Sequence, residues 1–473
     1  TLLTADHVIA HDGSGFVELR DGAVLVDGPT IAFVGPRAQA PDDATERIDL
    51  GQSVLMPGLI DLDALADIDH LQLDSWGTGA GGRLAWSADY FAHRRHEVLT
   101  AQERRTMRRF ALAQLALHGI TTFMPIASEV HAAWAETFDD LMDVARIAQR
   151  IGLRGFLGPS YRSGVHTTDA DGAPGIGWDD AEGETAFADA VRFLDAVDEL
   201  DDPRLTGVLV PCRIETVRED VLRRTAEISA ARGVLVRLHA LQGLRDAADT
   251  RASSGVSELE LIERVGLLTD RTLIAHGVYI DVHPALGGAD RGDLATLANA
   301  GVSVIHCPLT NIRYASNLEK LSQYLDAGVN IALGTDSFPP DLVRGIDQGV
   351  QLSKSQHHDL SRGLLAEYIQ AGTLGGARAL HRPDLGRIAV GATADLVAFA
   401  LDDFRMGAVE DPLRTLVLAG SGRDCRFSMV DGRVVVRDGG IAGIDLEELR
   451  REGQRIFDRL REAYGERDHR GGI

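Results

Sequence analysis

Val234-Leu235-Val236-Arg237-Leu238-His239 is a short apolar run broken by one arginine and closed by a histidine. Four to eight apolar residues without helical spacing suit a strand buried on both faces, as parallel sheets require. The helix-like segment before it and the polar residue at its end give it a direction. Similar runs occur at 54–56, 120–123, 155–157, 207–210, 272–275, 302–305 and 331–333, most of them followed by long helical stretches. Eight strand–helix repeats predict a closed (β/α)₈ TIM barrel of the α/β class better than an open sheet.

Catalytic groups in such barrels sit at the C-terminal ends of the strands. The fifth run ends at His239 and the sixth at His276-Gly277. The seventh ends at His306-Cys307-Pro308 with Asn311 beyond it, and the eighth at Gly334-Thr335-Asp336. One such histidine is ordinarily a satisfied structural residue. Three histidines and an aspartate on successive strand ends point to one shared site. Imidazole and carboxylate donors suit a single divalent metal, zinc first, with iron or manganese as alternatives. A metal-free acid–base site built from the same residues is the competing reading, and a non-catalytic binding protein is the third. The buried titratable groups count against that third reading.

On either side of the barrel the pattern changes. Residues 1–55 are short-strand material with an Asp27-Gly28 turn signal, and matching strands with an Asp431-Gly432 turn return within 385–444. These ends are expected to form one small composite β-sandwich around a barrel at 56–384. Residues 445–473 are expected to add a charged amphipathic C-terminal helix. Thr216-Val217-Arg218-Glu219 reads as a capping box for the helix before the fifth strand.

Composition narrows the function. The chain has 473 residues with 44% hydrophobic, enough for a large core and a smaller companion unit. A net charge of −23 opposes binding to a phosphate backbone, so a small-molecule substrate is expected and nucleic acid is not. Cys212, Cys307 and Cys425 are too few and too scattered for a disulfide framework. No run is long enough to span a membrane, and no basic region leads into an apolar stretch at the start, so a cytoplasmic protein is expected, as a homo-oligomer.

Several fragments in order resemble the amidohydrolase superfamily, in its cytosine-deaminase and triazine-hydrolase-like branch. They are Met56-Pro57-Gly58-Leu59-Ile60-Asp61, Gly119-Ile120-Thr121-Thr122, His239, His276-Gly277, His306-Cys307-Pro308, Gly334-Thr335-Asp336 and residues 386–396. The resemblance implies hydrolysis of a non-peptide C–N bond in a small cyclic or amide-bearing molecule by a metal-activated water. It makes His239 a metal ligand, His276 a water- or substrate-contacting histidine and Asp336 both ligand and general base. His306 is a further catalytic candidate.

Two positions depart from that pattern. The family's first strand runs into a His-x-His pair, and here those positions hold Asp63 and Leu65. Asp63 can still ligate a metal, whereas Leu65 cannot; Asp67, Asp69 and His70 are possible substitutes. Three residues after His239, where deaminases place a proton-shuttling glutamate, stands Gln242, a neutral amide able to orient a substrate. Arg237 shares the inward parity of His239 and needs a carboxylate, Asp61 or Asp63. Lying one layer below His239, it is read here as an Arg237–Asp61 pair at the barrel floor. Trp86, Tyr161 and Arg162 are candidate substrate contacts at the mouth, with Asn311 and Gln242. His118 and His357-His358 are read as structural or solvated.

Overall fold

Pro57 ends one strand, Leu59 begins another, and Gly58 between them turns the chain from a small sheet into the barrel. A side chain there would meet Thr121 Oγ1 at 2.1 Å, so only glycine fits. The structure, a computed structural model, describes residues 1–68, 86–126 and 131–469. The candidates Asp69 and His70 lie outside the described residues.

The chain opens with β1 (Leu2–His11), β2 (Phe16–Asp27), β3 (Thr30–Pro36), β4 (Arg47–Asp49) and β5 (Ser53–Pro57). The central segment carries β6 (Leu59–Leu65), β7 (Ile120–Ile126), β8 (Arg154–Leu157), β9 (Ser160–Tyr161), β10 (Gly164–Thr168) and β11 (Pro174–Trp178). It continues through β12 (Leu205–Gly207), β13 (Val210–Pro211), β14 (Val236–Ala240), β15 (Thr272–His276), β16 (Ser303–His306) and β17 (Asn330–Leu333). Then come β18 (Leu396–Ala400), β19 (Cys425–Val430), β20 (Arg433–Arg437) and β21 (Gly440–Ile441).

Eight parallel strands form the barrel. β6, β7, β8 and β12 are neighbours in one arc, and β14, β15, β16 and β17 in the other. The arcs join where Leu209 N donates to Leu235 O and Arg237 N to Leu209 O, both at 3.0 Å. They close where Asp336 N donates to Asp63 O at 2.7 Å. Along β14 the alternation decides everything: Val236 and Leu238 join the apolar core shared with the flanking helices, and Arg237 and His239 take the other face. The run at 54–56 is a correction to the count of barrel strands. It belongs to β5, paired with β1 and β18 in the small sheet, and the first barrel strand is β6.

Both ends of the chain supply the small sheet, which runs β21-β20-β19-β18-β5-β1-β2-β3 with β4 beside β1. Leu3, Val8, Val24, Leu55, Leu396, Phe427 and Met429 fill its apolar face. Arg154 on β8 ties barrel to sheet through a bidentate pair with Asp395, Nε to Oδ2 at 2.8 Å and Nη2 to Oδ1 at 3.1 Å.

The C-terminal helix spans Leu446–Arg467 and is capped by Asp445, whose carboxylate accepts from Glu448 N at 2.9 Å. Leu449, Gly453, Ile456, Leu460 and Tyr464 form its buried stripe at three- and four-residue spacing. The capping box at 216–219 does not form. The helix begins at Glu219 with Arg218 as an uncapped N-cap, and Thr216 Oγ1 instead donates to Arg213 O at 3.3 Å. Among the described residues no helix is long and apolar enough to cross a membrane.

Candidate metal centre

Asp63, His239, His276 and Asp336 converge from the ends of the first, fifth, sixth and eighth barrel strands. One ligand atom from each lies within 4.8 Å of the others. His239 Nε2 is 3.5 Å from Asp63 Oδ2, and His276 Nε2 is 4.0 Å from Asp63 Oδ2 and 3.9 Å from Asp336 Oδ2. These separations are too long for hydrogen bonds. They match donors that share one ion, since bonds of about 2 Å set ligands roughly 3–4 Å apart.

The imidazoles are held for that purpose from behind. His239 Nδ1 lies 2.9 Å from Cys212 O, and His276 Nδ1 lies 3.1 Å from Asn311 Oδ1. Both partners are acceptors, so each Nδ1 carries the proton and each Nε2 presents its lone pair to the centre. His276 Nε2 is buried and makes no hydrogen bond. A buried nitrogen lone pair aimed at two carboxylates fits a metal ion. Burial drives the His276 pKa down to about 3, so the ring is a neutral donor at any working pH.

Asp63 is shared between the centre and Arg237. Its Oδ1 accepts from Arg237 Nη1 in a short, fully buried ion pair, and Arg237 Nη2 donates to Pro125 O at 3.0 Å. The expected Arg237–Asp61 pair is therefore corrected: the arginine reaches up one layer to Asp63. Asp61 instead accepts from Thr335 N at 3.0 Å, Thr335 Oγ1 at 2.6 Å and Asp63 N at 3.2 Å. Burial raises Asp61 to about 7. It also pushes Asp63 up, but the neighbouring His239 ring and Arg237 guanidinium outweigh that and hold its carboxyl well below the usual range. Cys307 Sγ adds a weak donor 3.6 Å from Asp63 Oδ2.

Two of the four residues have left-handed backbone. His276 has φ +74° and Asp336 has φ +58°, left-handed values that cost a residue with a side chain about 1–3 kcal/mol. Beside them Gly334 leaves room for Asp63, whose Cβ would sit 2.5 Å from any side chain added there.

The other candidates fall elsewhere. His306 is buried with Nδ1 unpartnered, its ring 6.1 Å from that of Tyr368, and it is not in the four-residue group. Gln242 Oε1 accepts from Arg213 Nη1 in a short contact. Asn311 acts on His276. Tyr161 is buried, its hydroxyl 2.7 Å from Thr225 Oγ1 and its ring beside Phe187. Arg162 donates to Trp134 O and lies over the Trp134 ring. Trp86 packs against Tyr464 of the C-terminal helix, with centroids 4.9 Å apart. Asp67 is buried with His131 Nε2 at 3.5 Å, outside the group.

Sequence reasoning passed over Arg213 and Glu258. Arg213 follows β13 at the end of the fourth strand, where the apolar run at 207–210 is not closed by a histidine or a carboxylate. Glu258 accepts from Leu241 N at 2.9 Å and is raised by burial to about 8. Nothing in its surroundings in the chain distinguishes it from a surface helix glutamate.

A parallel eight-stranded barrel with imidazole and carboxylate donors at four strand ends defines a class of enzyme able to hold a metal ion above the barrel. The chain belongs to the amidohydrolase family, whose pattern matches residues 54–435. It is 28% identical over 442 residues to the 8-oxoguanine deaminase of Pseudomonas aeruginosa, covering 90% of this chain and 92% of that protein. It is also 28% identical over 457 residues to the 5-methylthioadenosine/S-adenosylhomocysteine deaminase of Halobacterium salinarum, covering 94% and 95%. Among solved structures, a zinc-bound adenosine deaminase from Xanthomonas campestris superposes with a TM-score of 0.77 at 23% identity, over 98% of each chain. The zinc complex of atrazine chlorohydrolase from Arthrobacter aurescens also gives 0.77, at 21% identity over 96% of this chain and 99% of that one. The two sequence relatives are deaminases, which act on C–N bonds outside peptides, and this chain is a hydrolase of that kind.

Proposed function

We propose that the chain removes an amino group, or opens a comparable C–N bond, on a small nitrogen heterocycle, with one divalent metal held by Asp63, His239, His276 and Asp336. The observation that carries this reading is the pair of Nε2 lone pairs facing two carboxylates, each imidazole being fixed through Nδ1. Zinc is the ion favoured by the donor set. When bound, such an ion lowers the pKa of a coordinated water to near 7.

The chain's own groups do the rest. Asp336 accepts the proton of the attacking water and returns it to the departing nitrogen. Gln242 cannot move a proton. With its Oε1 held by Arg213, the group it can offer is the amide NH₂, a donor for a ring nitrogen or exocyclic oxygen. The Arg213 guanidinium beside it favours negative charge developing on that edge of the ring.

The Arg237–Asp63 ion pair supports a second reading, in which a fixed cation replaces the metal and Asp336 works alone. Elemental analysis separates the two. The proposed function expects one equivalent of transition metal at this centre, the equivalent that His239→Ala removes, together with ammonia release from a panel of aminopurines and aminopyrimidines. Less than roughly a tenth of an equivalent, with activity that survives chelators, would establish the metal-free reading instead.

A further inference from the structure

At the barrel mouth a second group of donors shares no atom with the first. His166 stands on β10, which pairs with β11 as an antiparallel hairpin; Glu215 follows β13; Asp246 lies in the first turn of the helix Leu244–Ser254. One ligand atom from each lies within 4.8 Å of the other two.

Glu215 makes this more than a patch of acidic residues. Its side chain is 1% exposed, and Oε1 accepts no hydrogen bond. That oxygen faces His166 Nε2 at 3.1 Å, and the nitrogen likewise makes no hydrogen bond. A buried carboxylate oxygen and an imidazole nitrogen thus point into one space with Asp246 at its edge. Glu215 and His166 lie at ion-pair distance, and a cation set between them and Asp246 would draw on both donors at once.

The surrounding charges leave a net negative balance. Arg213 Nη1 is 3.9 Å from Asp246, Arg245 Nε is 3.3 Å from Asp249, and Asp249 is 3.9 Å from His166. The three carboxylates of Glu215, Asp246 and Asp249 therefore outnumber the two guanidiniums of Arg213 and Arg245. Burial, and then Glu215 itself, raise the pKa of Asp246, as uncompensated carboxylates do. One nitrogen and two carboxylates suit zinc or manganese.

We infer that His166, Glu215 and Asp246 form a second divalent-cation site, one that ties the β10–β11 hairpin to the rim of the barrel. The ion is structural: it joins three segments that are distant in the chain and leaves Asp63, His239, His276 and Asp336 to their own ion.

Zinc titration followed by elemental analysis of the dialysed full-length protein tests this. Wild type is expected to hold two equivalents. His239→Ala keeps the one that Glu215→Gln loses, and Glu215→Gln weakens zinc at this site by at least ~10-fold. Hydrogen exchange supplies a second reading: zinc should slow exchange across 164–178 in wild type and His239→Ala, but not in Glu215→Gln. Should Glu215→Gln fail to fold, His166→Gln, altered at the most exposed of the three, carries the same comparison. Loss of all bound zinc in His239→Ala, or a full complement in both Glu215→Gln and His166→Gln, would overturn the inference. Zinc that is insensitive to His239→Ala but lost in Glu215→Gln would support this site while counting against the proposed catalytic metal.

Discussion

The position that departs most from the family, Asp63, comes with its own compensation. Placing a carboxylate where a neutral imidazole is usual adds one negative charge to the centre, and Arg237 beneath it removes one. The pair is fully buried, so neither member tolerates loss of the other. Arg237→Met should cost about 3–5 kcal/mol in urea unfolding. The double variant Asp63→Leu/Arg237→Met should recover most of that stability while binding no metal at the centre. Glu258 allows a pH test. It keeps its proton in the folded state up to about pH 8, whereas its ordinary value is 4.5. Between those values the folded chain holds the extra proton, so this group's contribution to stability falls as pH rises. Glu258→Gln should therefore melt a few degrees above wild type at pH 8 and level with it below pH 4.5, by calorimetry across that range. Legibility at this scale followed chemistry. His239, His276 and Asp336 stood out because polar residues end apolar runs. The partner of Arg237 did not, because side-chain length, and not strand parity, decides which of two stacked aspartates a guanidinium reaches.

Elements were read well where hydrophobic pattern alone decides them. Seven of the eight apolar runs are barrel strands, and the exception, at 54–56, is as apolar as they are. What separates β5 from β6 is Gly58, a steric constraint imposed by Thr121 some sixty residues on, which periodicity cannot reveal. The same kind of constraint operates at the end of β17. Gly334→Ala would drive a methyl group against Asp63 Cβ and Cys307 Sγ. Overpacking there should cost about 1–3 kcal/mol. It should also weaken metal binding at the centre by at least ~10-fold in calorimetric titration, because Asp63 must move. Retention of wild-type affinity would show that Asp63 is not a ligand. The aromatic and arginine candidates of the loops illustrate the opposite limit. Trp86, Tyr161 and Arg162 are used up in packing against Tyr464, Phe187 and Trp134, partners set by tertiary structure.

At the scale of the whole molecule, 71 acidic residues face 48 basic ones. Many exposed ion pairs, such as Arg224 with Glu184, offset this locally and are worth little each. Self-repulsion should therefore dominate, and salt should stabilise. The melting temperature is expected to rise by a few degrees between about 10 mM and 500 mM sodium chloride. A fall over that range would mean that the ion pairs outweigh the net charge. The small sheet has a different consequence, one of timing. Its strand β5 is flanked on one side by β1 and on the other by β18, which lies about 340 residues further along the chain. On a ribosome adding roughly 5–20 residues per second, β5 waits some 20–70 s with one bare apolar edge. Throughout that interval the nascent chain presents an open template for pairing with other strands, so its yield in a cell should depend on chaperones that shield this edge until translation ends.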